Sequence, residues 1–106
     1  MTSEEYQKIT DELLHLARQI EDSKRPSYTV GSEDVLANFK RVGTASGMTP
    51  AQCCLVYMMK HVDAICTLIS KPELDDPEPA ITRFCDLINY TRLLFALTQE
   101  GEGLNQ

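Results

Sequence analysis

This sequence of 106 residues is short of basic residues and of long apolar runs, and each shortage excludes a class of function. Lysine and arginine total 10 against 16 acidic residues, a net charge of −6. Affinity for the backbone of DNA or RNA, which needs clustered basic residues, is therefore not expected. No apolar run approaches the ~20 residues of a membrane span, and the acidic first residues lack the apolar segment of a signal peptide. We expect a cytoplasmic protein that binds neither nucleic acid polymers nor membranes.

Common catalytic and metal-binding motifs are missing too. The sequence contains neither a G-x-x-x-x-G-K-[ST] phosphate loop nor a G-x-G-x-x-G motif, and two histidines are too few for a histidine-rich metal centre. The four cysteines lack metal-ligand spacing. Cys66 and Cys85 are predicted to be buried as small apolar residues. The adjacent Cys53 and Cys54 point about 100° apart on a helix, so we expect one of them to be exposed or at a subunit interface.

The sequence does contain a strong helical pattern. Apolar residues recur at three- and four-residue steps in four segments, which predicts helices at about 3–22, 33–46, 50–70 and 79–100. The third helix has the clearest start, because Thr49 stands at the N-cap, Pro50 at the first helical position and Gln52 at the third. The predicted fold is all-α, a single-domain four-helix bundle over residues 1–106.

The third predicted helix is apolar on more than one side. Its predicted core-facing stripe consists of Ala51, Leu55, Met58, Val62, Ile65 and Ile69. Further apolar residues, including Met59, lie beside this stripe, and a helix apolar over so wide an arc needs burial on two sides. We therefore predict a homo-oligomer, most simply a two-fold dimer, with Met59 at the interface.

Polar residues lie beside the apolar stripes of three helices, where a bundle usually builds its polar site. Residues three or four apart share a face of a helix. The groups that do so are Asn38 with Arg41, Lys60 with Asp63, and Asp86 with Asn89 and Tyr90, while His61 lies about 100° from Lys60. The alternative is that these side chains are ordinary surface residues.

Residues 35–41, 47–50, 57–63 and 86–90 together resemble a group of small bacteriophage proteins. The order of elements over residues 28–97 is similar to that of the MazG-like all-α nucleotide pyrophosphohydrolases. The resemblance implies an oligomeric bundle that holds a phosphorylated nucleotide between its helices, in the host cytoplasm if the protein is viral. MazG-like enzymes bind Mg²⁺ through an E-x-x-E pair on one helix and an E-x-x-D pair on the next, because carboxylates at this spacing converge on one side of a helix.

The matching positions of this chain depart from those motifs. K-H-V-D at residues 60–63 has lysine in place of the first glutamate, and D-L-I-N at residues 86–89 ends in asparagine. The resemblance thus leaves Asp63 and Asp86 as Mg²⁺ ligands and, with His61, as the candidate catalytic residues. Lys60 could instead neutralise a phosphate directly.

Three functions remain open from the sequence. The first is a Mg²⁺-dependent nucleotide pyrophosphohydrolase with a reduced metal site, and the second is a non-catalytic viral protein that sequesters a nucleotide signal. The third is a module that binds a host protein through exposed apolar residues. For the first two, the candidate ligand-binding residues are Lys24, Arg25, Tyr28, Asn38, Arg41, Lys60, Asn89 and Tyr90.

Overall fold

The computed structural model describes residues 1–29, 31–74, 76 and 78–102, and the regular structure in these ranges is entirely helical. The all-α prediction is therefore confirmed. Four α-helices and a short π-helical turn follow one another: α1 Ser3–Thr29, α2 Ala37–Ser46, α3 Pro50–Ser70, α4 Ala80–Leu97 and the turn Thr98–Glu102.

The antiparallel pair α3 and α4 forms the centre of the molecule. Contacts that advance along α4 move backwards along α3. The Sγ of Cys54 lies 3.6 Å from the carbonyl oxygen of Tyr90, whereas His61 lies against Asp86, one turn earlier on α4. The connection between these helices therefore lies at the end of the bundle that holds the start of α4.

The long helix α1 packs along α4 in the parallel sense. The Sγ of Cys85 lies 3.8 Å from the carbonyl oxygen of Leu13, and Asn89 Nδ2 donates to the carbonyl oxygen of Ala17 at 2.8 Å. From the first contact to the second, the position advances by four residues on α1 and by four residues on α4. The two helices therefore run in the same direction. The N-terminus of α1 and the N-terminus of α4 consequently lie at the same end of the bundle.

One end of the bundle is closed by α2. This helix has 10 residues against 27 in α1, about 15 Å against about 40 Å, so it covers only part of the bundle. The closed end is the buried cluster of Leu36, Phe39, Cys53, Cys54 and Leu97. The ring of Phe39 lies 6.1 Å from the rings of both Tyr57 and Tyr90, within the range of favourable aromatic contacts.

The opposite end of the bundle is open. Tyr6 and Ile9 of α1 and Ile81 and Phe84 of α4 are all exposed. They line an apolar groove of about 540 Å³. These four residues define the open end, where the apolar stripes of two parallel helices continue without a covering helix.

The predicted end of α1 at residue 22 is wrong, because the helix continues to Thr29 and passes through Pro26. Proline removes a backbone donor and ordinarily ends a helix. Here the preceding turn is held by its side chains: Glu21 accepts from Arg25 at 2.8 Å and from Arg92 of α4 at 3.1 Å. Tertiary contacts therefore override the local signal.

The predicted start of α2 at residue 33 is also wrong, because the helix begins at Ala37. The Oγ of Ser32 accepts from the backbone N–H of Asp34 at 3.0 Å, and the Oδ1 of Asp34 accepts from that of Leu36 at 2.9 Å. Such local bonds compete with helix formation. These hydrogen bonds to the side chains of Ser32 and Asp34 thus stabilise two successive turns before the helix.

The helix α3 spans the predicted residues, and its capping box is confirmed. The Oγ1 of Thr49 accepts from the N–H of Gln52 at 3.1 Å, while Gln52 Oε1 accepts from the N–H of Thr49 at 3.0 Å. Among the described helices it is also the one long and apolar enough to cross a membrane, by length and composition alone. The core helix of a soluble protein meets the same two criteria, and the expectation that the chain does not bind membranes stays a prediction.

The predicted core-facing stripe of α3 is correct in part. Ile65 is buried as predicted, whereas Leu55, Val62 and Ile69 are exposed. The other buried residues of the helix are Cys53 and Cys54, which were not in the stripe. Apolar residues lie on more than one side of this helix, so their spacing alone does not show which side faces the core.

The cysteine predictions fail for a related reason. Cys53 and Cys54 are both buried and Cys66 is exposed, although Cys85 is buried as predicted. Two neighbouring residues can both be buried because α3 packs against two helices, α2 and α4. Burial also raises the pKa of the Cys54 thiol to about 12, which keeps it protonated.

The close packing of α2 on the start of α3 requires a glycine. Gly43 is buried, and a Cβ atom there would lie 2.9 Å from the carbonyl oxygen of Met48 and 3.3 Å from the backbone nitrogen of Pro50. The next glycine, Gly47, ends α2 with φ of 74°, the left-handed conformation that favours glycine.

Candidate functional site

A cluster of polar side chains lies between α1, α3 and α4, midway between the closed and open ends. The Asp86 cluster comprises Lys24, His61, Asp86 and Asn89. Asp86 is 7% exposed. One carboxylate oxygen lies 3.5 Å from Lys24 Nζ, and the other lies 3.7 Å from His61 Nδ1. The structure thus brings together four of the residues predicted to form a site.

The two neighbours of Asp86 differ in how far they are removed from water. The side chain of Lys24 is 48% exposed, and that of His61 is 12% exposed. A buried carboxylate needs a paired cation or hydrogen bonds to offset its lost hydration. Lys24 gives this compensation from the solvent side, so its ammonium group can move away without being buried elsewhere.

Two polar atoms of the cluster are buried without a hydrogen-bond partner among the described residues, His61 Nδ1 and Asn89 Oδ1. The amide nitrogen of Asn89 is satisfied by Ala17. An unsatisfied buried polar atom costs about 1–3 kcal/mol, and proteins rarely leave one without a water, an ion or a ligand to complete it. These two atoms are therefore the ones in the cluster that a water, an ion or a ligand could hydrogen-bond or coordinate.

The cluster encloses a cavity of about 20 Å³, lined in part by Lys24, Asp86 and Asn89. This volume is enough for one water molecule and too small for a phosphate group unless a side chain moves. Lys24, being half exposed, is the lining residue that can move with the least loss of packing.

Glu21 also lines this cavity, and the sequence analysis missed it. Its side chain is 12% exposed and accepts from Arg25 and Arg92. The signal was present, since Glu21 stands three residues before Lys24 on one helical face. It was overlooked because α1 was predicted to end at residue 22, which left Lys24 in a loop.

The electrostatic environment of His61 reflects both burial and nearby charges. Burial lowers the pKa of the imidazole, Asp86 opposes this, and Lys60, Arg83 and Lys24 lower the pKa further. Three cations therefore act on one partly buried ring. Neutral imidazole is therefore favoured.

Aromatic rings fill the space between the Asp86 cluster and the closed end. The imidazole of His61 stacks on the ring of Tyr90 with centroids 5.1 Å apart, and Tyr57 stacks on Tyr90 at 6.1 Å. Tyr90 was predicted to bind ligand. In the structure its ring has two stacked neighbours and fixes the orientation of His61.

Asp63 does not join the Asp86 cluster. Its side chain is exposed on α3, as is that of Lys60, and the hydrogen bond at this position is accepted by its backbone carbonyl from Thr67 Oγ1 at 3.1 Å. Across the described residues no group of three histidine, cysteine or acidic side chains is arranged to hold a metal ion. The Mg²⁺ site of Asp63 and Asp86 stays a prediction.

The remaining candidate residues lie elsewhere. Arg41 donates to Asn38 Oδ1 at 3.1 Å on α2, which agrees with their predicted shared face but leaves them outside the cluster. Arg25 is paired with Glu21 and Asp22. The side chain of Tyr28 falls outside the part of the chain that the structure describes.

No protein-family model matches this chain, and no curated protein or solved structure matches it significantly. The similarity to the MazG-like enzymes therefore stays a prediction that depends on residues 28–97.

Proposed function

We propose that this chain is a MazG-like protein of bacteriophage type that binds a nucleotide, or another phosphorylated small molecule, at the Asp86 cluster. The observation that carries the proposal is that two buried polar atoms around a buried carboxylate, on His61 and Asn89, have no hydrogen-bond partner among the described residues. The protein would act in the cytoplasm, that of the host cell if it is viral.

Lysine side chains supply the attraction for phosphate in this proposal. Lys24 can release Asp86 and turn its ammonium group towards a phosphate oxygen, because its side chain is half exposed. Lys60 is exposed on α3 and close enough to influence His61. Charge-assisted hydrogen bonds from such groups to phosphate are among the stronger polar contacts in proteins.

A divalent cation is expected to take part. The carboxylate of Asp86 would repel a phosphate placed beside it, and Mg²⁺ between the two removes that repulsion. Mg²⁺ prefers oxygen ligands from one or two carboxylates, from water and from phosphate. Asp86 would supply a carboxylate oxygen and Asn89 its free Oδ1, while Asp63 stays the second predicted carboxylate ligand.

The experiment is a panel of nucleoside mono-, di- and triphosphates and cyclic nucleotides, each with and without Mg²⁺. Melting temperature and pyrophosphate release are measured for every sample. We expect one class of nucleotide to raise the melting temperature only with Mg²⁺, because a ligand of the folded state stabilises it. Pyrophosphate release would assign an enzyme, and a melting shift without product would assign sequestration.

Three variants make this test specific. Asp86→Asn should abolish the Mg²⁺-dependent shift, and Asp11→Asn, at an exposed residue of α1, should keep it. Loss of the shift in Asp63→Asn as well would support a metal site shared by both carboxylates. A panel in which no nucleotide alters the melting temperature would reject the proposal.

A second function, binding to a host protein, is favoured by a different observation. The outer face of α3 exposes apolar residues, including Leu55, Val56 and Met59, and such patches mark interaction surfaces. Co-purification of a host protein by a chain that responds to no nucleotide would favour it. The same face supports the proposal that the chain is a homo-oligomer, a dimer or higher.

A further inference from the structure

The cavity of the Asp86 cluster has both polar and apolar residues in its wall. Asp86, Asn89 and Glu21 form the polar part, and Ile20 of α1 and Leu93 of α4 form the apolar part. Its volume of about 20 Å³ accommodates one group of the size of a water molecule. The chemistry of the polar atoms around this space therefore indicates which group it can hold.

The unpartnered atom of Asn89 is a hydrogen-bond acceptor. Its amide nitrogen donates to the carbonyl oxygen of Ala17 at 2.8 Å, and this bond fixes which end of the amide is nitrogen. The other end, Oδ1, is buried without a hydrogen-bond partner among the described residues. Asn89 is only 6% exposed, so a group that completes Oδ1 has to lie inside the bundle and donate a hydrogen bond.

The ammonium group of Lys24 reaches this space only in part. Its Nζ lies 3.5 Å from Oδ1 of Asp86, which is longer than the ~2.7–2.9 Å of a charge-assisted hydrogen bond. It does not bond Oδ1 of Asn89, and the side chain is 48% exposed. The buried carboxylate thus has a distant cation on its solvent side, although a buried charge needs a close partner to offset its lost hydration.

Glu21 provides a third acceptor beside the cavity. Its two carboxylate oxygens each accept one hydrogen bond, from Arg25 at 2.8 Å and from Arg92 at 3.1 Å. A carboxylate oxygen can accept two hydrogen bonds, so Glu21 retains capacity for another donor. Three acceptors around one small space match the three N–H donors of a primary ammonium group.

We infer that the cavity beside Asp86 binds the protonated primary amine of a small molecule, which displaces the ammonium group of Lys24. Its N–H groups donate to Oδ1 of Asp86, Oδ1 of Asn89 and the carboxylate of Glu21. The alkyl carbon that carries the ammonium group contacts the apolar part of the wall, and Lys24 moves into solvent.

The exchange of one ammonium group for another leaves the charge of the cluster unchanged. A net charge of −6 favours the approach of a cationic molecule to this chain. The amine site goes beyond the proposed nucleotide site, because its ligand has the opposite charge. Its tests contain neither nucleotide nor Mg²⁺, so either proposal can fail without the other.

A single water molecule is the competing occupant, since it fits the same volume. A water molecule can donate to Oδ1 of Asn89, but it brings no positive charge to the buried carboxylate of Asp86. The two occupants differ in a measurable way, because only an ammonium site responds to amines in solution.

Titration of the unmodified chain with ethylammonium chloride tests the site directly. The side-chain amide of Asn89 gives its own pair of signals in a ¹H–¹⁵N correlation spectrum. We expect these signals to shift saturably with ethylammonium and to stay in place with tetramethylammonium chloride, which has the same charge but no N–H donor. Signals that ignore ethylammonium, as a site that holds water only requires, or that move equally with both salts would overturn the inference.

The variant Lys24→Ala provides a second measurement, because it removes the competing ammonium group. It should bind ethylammonium about two- to five-fold more tightly than the unmodified chain, since a half-exposed ion pair no longer competes. At ten times its Kd, ethylammonium should raise the folded-to-unfolded ratio of this variant about 11-fold. The melting temperature should rise accordingly, and tetramethylammonium should not raise it.

Two further variants make the melting experiment specific. Lys8→Ala, at an exposed lysine of α1 outside the cavity, should bind ethylammonium as the unmodified chain does. Addition of Asp86→Asn to Lys24→Ala should remove the response to ethylammonium. A Lys24→Ala chain that melts at the same temperature in both salts, or a double variant that still responds to ethylammonium, would contradict the amine site.

Discussion

The closed and open ends of the bundle are built from similar residues but differ in how they are covered. At the closed end, α2 places Leu36 and Phe39 over the start of α3 and the end of α4. At the open end the corresponding apolar residues, among them Ile9 and Phe84, remain in contact with water. The difference follows from the length of α2, which is too short to reach both ends.

The comparison shows where the stability of the isolated chain is concentrated. Burial of apolar surface is the main favourable contribution to folding, and the closed end contains most of the buried apolar side chains of the described residues. Substitutions at the two ends should therefore have unequal effects on the free energy of unfolding.

The largest expected effect is that of Phe39→Ala at the closed end. Phe39 is 4% exposed, and removing a buried phenyl ring typically costs about 3–5 kcal/mol. Phe84→Ala, at a position 41% exposed in the open end, should cost about 1 kcal/mol or less. Urea denaturation of both variants measures the difference, and equal losses would show that the two ends contribute alike.

A smaller effect is expected for Gly43→Ala, which tests how closely α2 approaches α3. The new Cβ would contact Met48 and Pro50, and overpacking of this kind costs about 1–3 kcal/mol. Gly101→Ala is the control, since a Cβ there meets nothing within 4 Å. If Gly43→Ala is as stable as the unmodified chain in a thermal melt, the contact between α2 and the start of α3 is looser than described.

Next comes Thr49→Ala, which removes the capping box where α3 enters the closed end. Loss of such a cap typically costs about 1 kcal/mol. Thr67 lies on an exposed face of the same helix. Thr67→Ala should leave the free energy of unfolding unchanged or raise it slightly, because alanine is the better helix former. Denaturation midpoints of both variants provide the measurement, and a neutral Thr49→Ala would argue that packing alone fixes the start of α3.

The smallest effect concerns His61, at the boundary between the two ends. Burial lowers its pKa in the folded chain below the ordinary 6.5, so the unfolded chain binds the extra proton at a higher pH. The stability that the folded chain keeps by holding His61 neutral is complete above pH 6.5, and it is lost as the pH falls towards the folded-state pKa. Melting temperatures between pH 7 and pH 5 should fall less for His61→Gln than for the unmodified chain. His15 is exposed, so the melting temperature of His15→Gln should fall with pH as much as that of the unmodified chain. Identical pH profiles for the two variants and the unmodified chain would contradict the role of burial at His61.

The sequence predicts the local features of this fold better than its tertiary ones. The bounds of α3 follow from Thr49, Pro50 and Gln52, which act on their own neighbours. The length of α1 could not be predicted in this way, because the turn before Pro26 is held by Arg92, 71 residues after its partner Glu21. The buried face of α3 could be predicted only in part, since apolar residues lie on more than one side of the helix.

The candidate site was predicted in part for the same reasons. Asp86, Asn89 and His61 were identified because they lie beside the apolar stripes of their helices. Glu21 was missed because its role depends on the continuation of α1. Whether Asp63 acts with Asp86 stays a prediction, since helical spacing gives the position of a residue on its own helix but not its direction relative to a neighbouring one.

The burial of three of the four thiols has a practical consequence. Cys53, Cys54 and Cys85 are enclosed, whereas Cys66 is open to solvent. A maleimide fluorophore or nitroxide added to the folded protein would therefore attach at Cys66, so the natural chain already provides a single labelling position. Because that position lies on the outer face of α3, beside the exposed Met59 and Val62, the rate of labelling would itself report how much of that face another molecule covers.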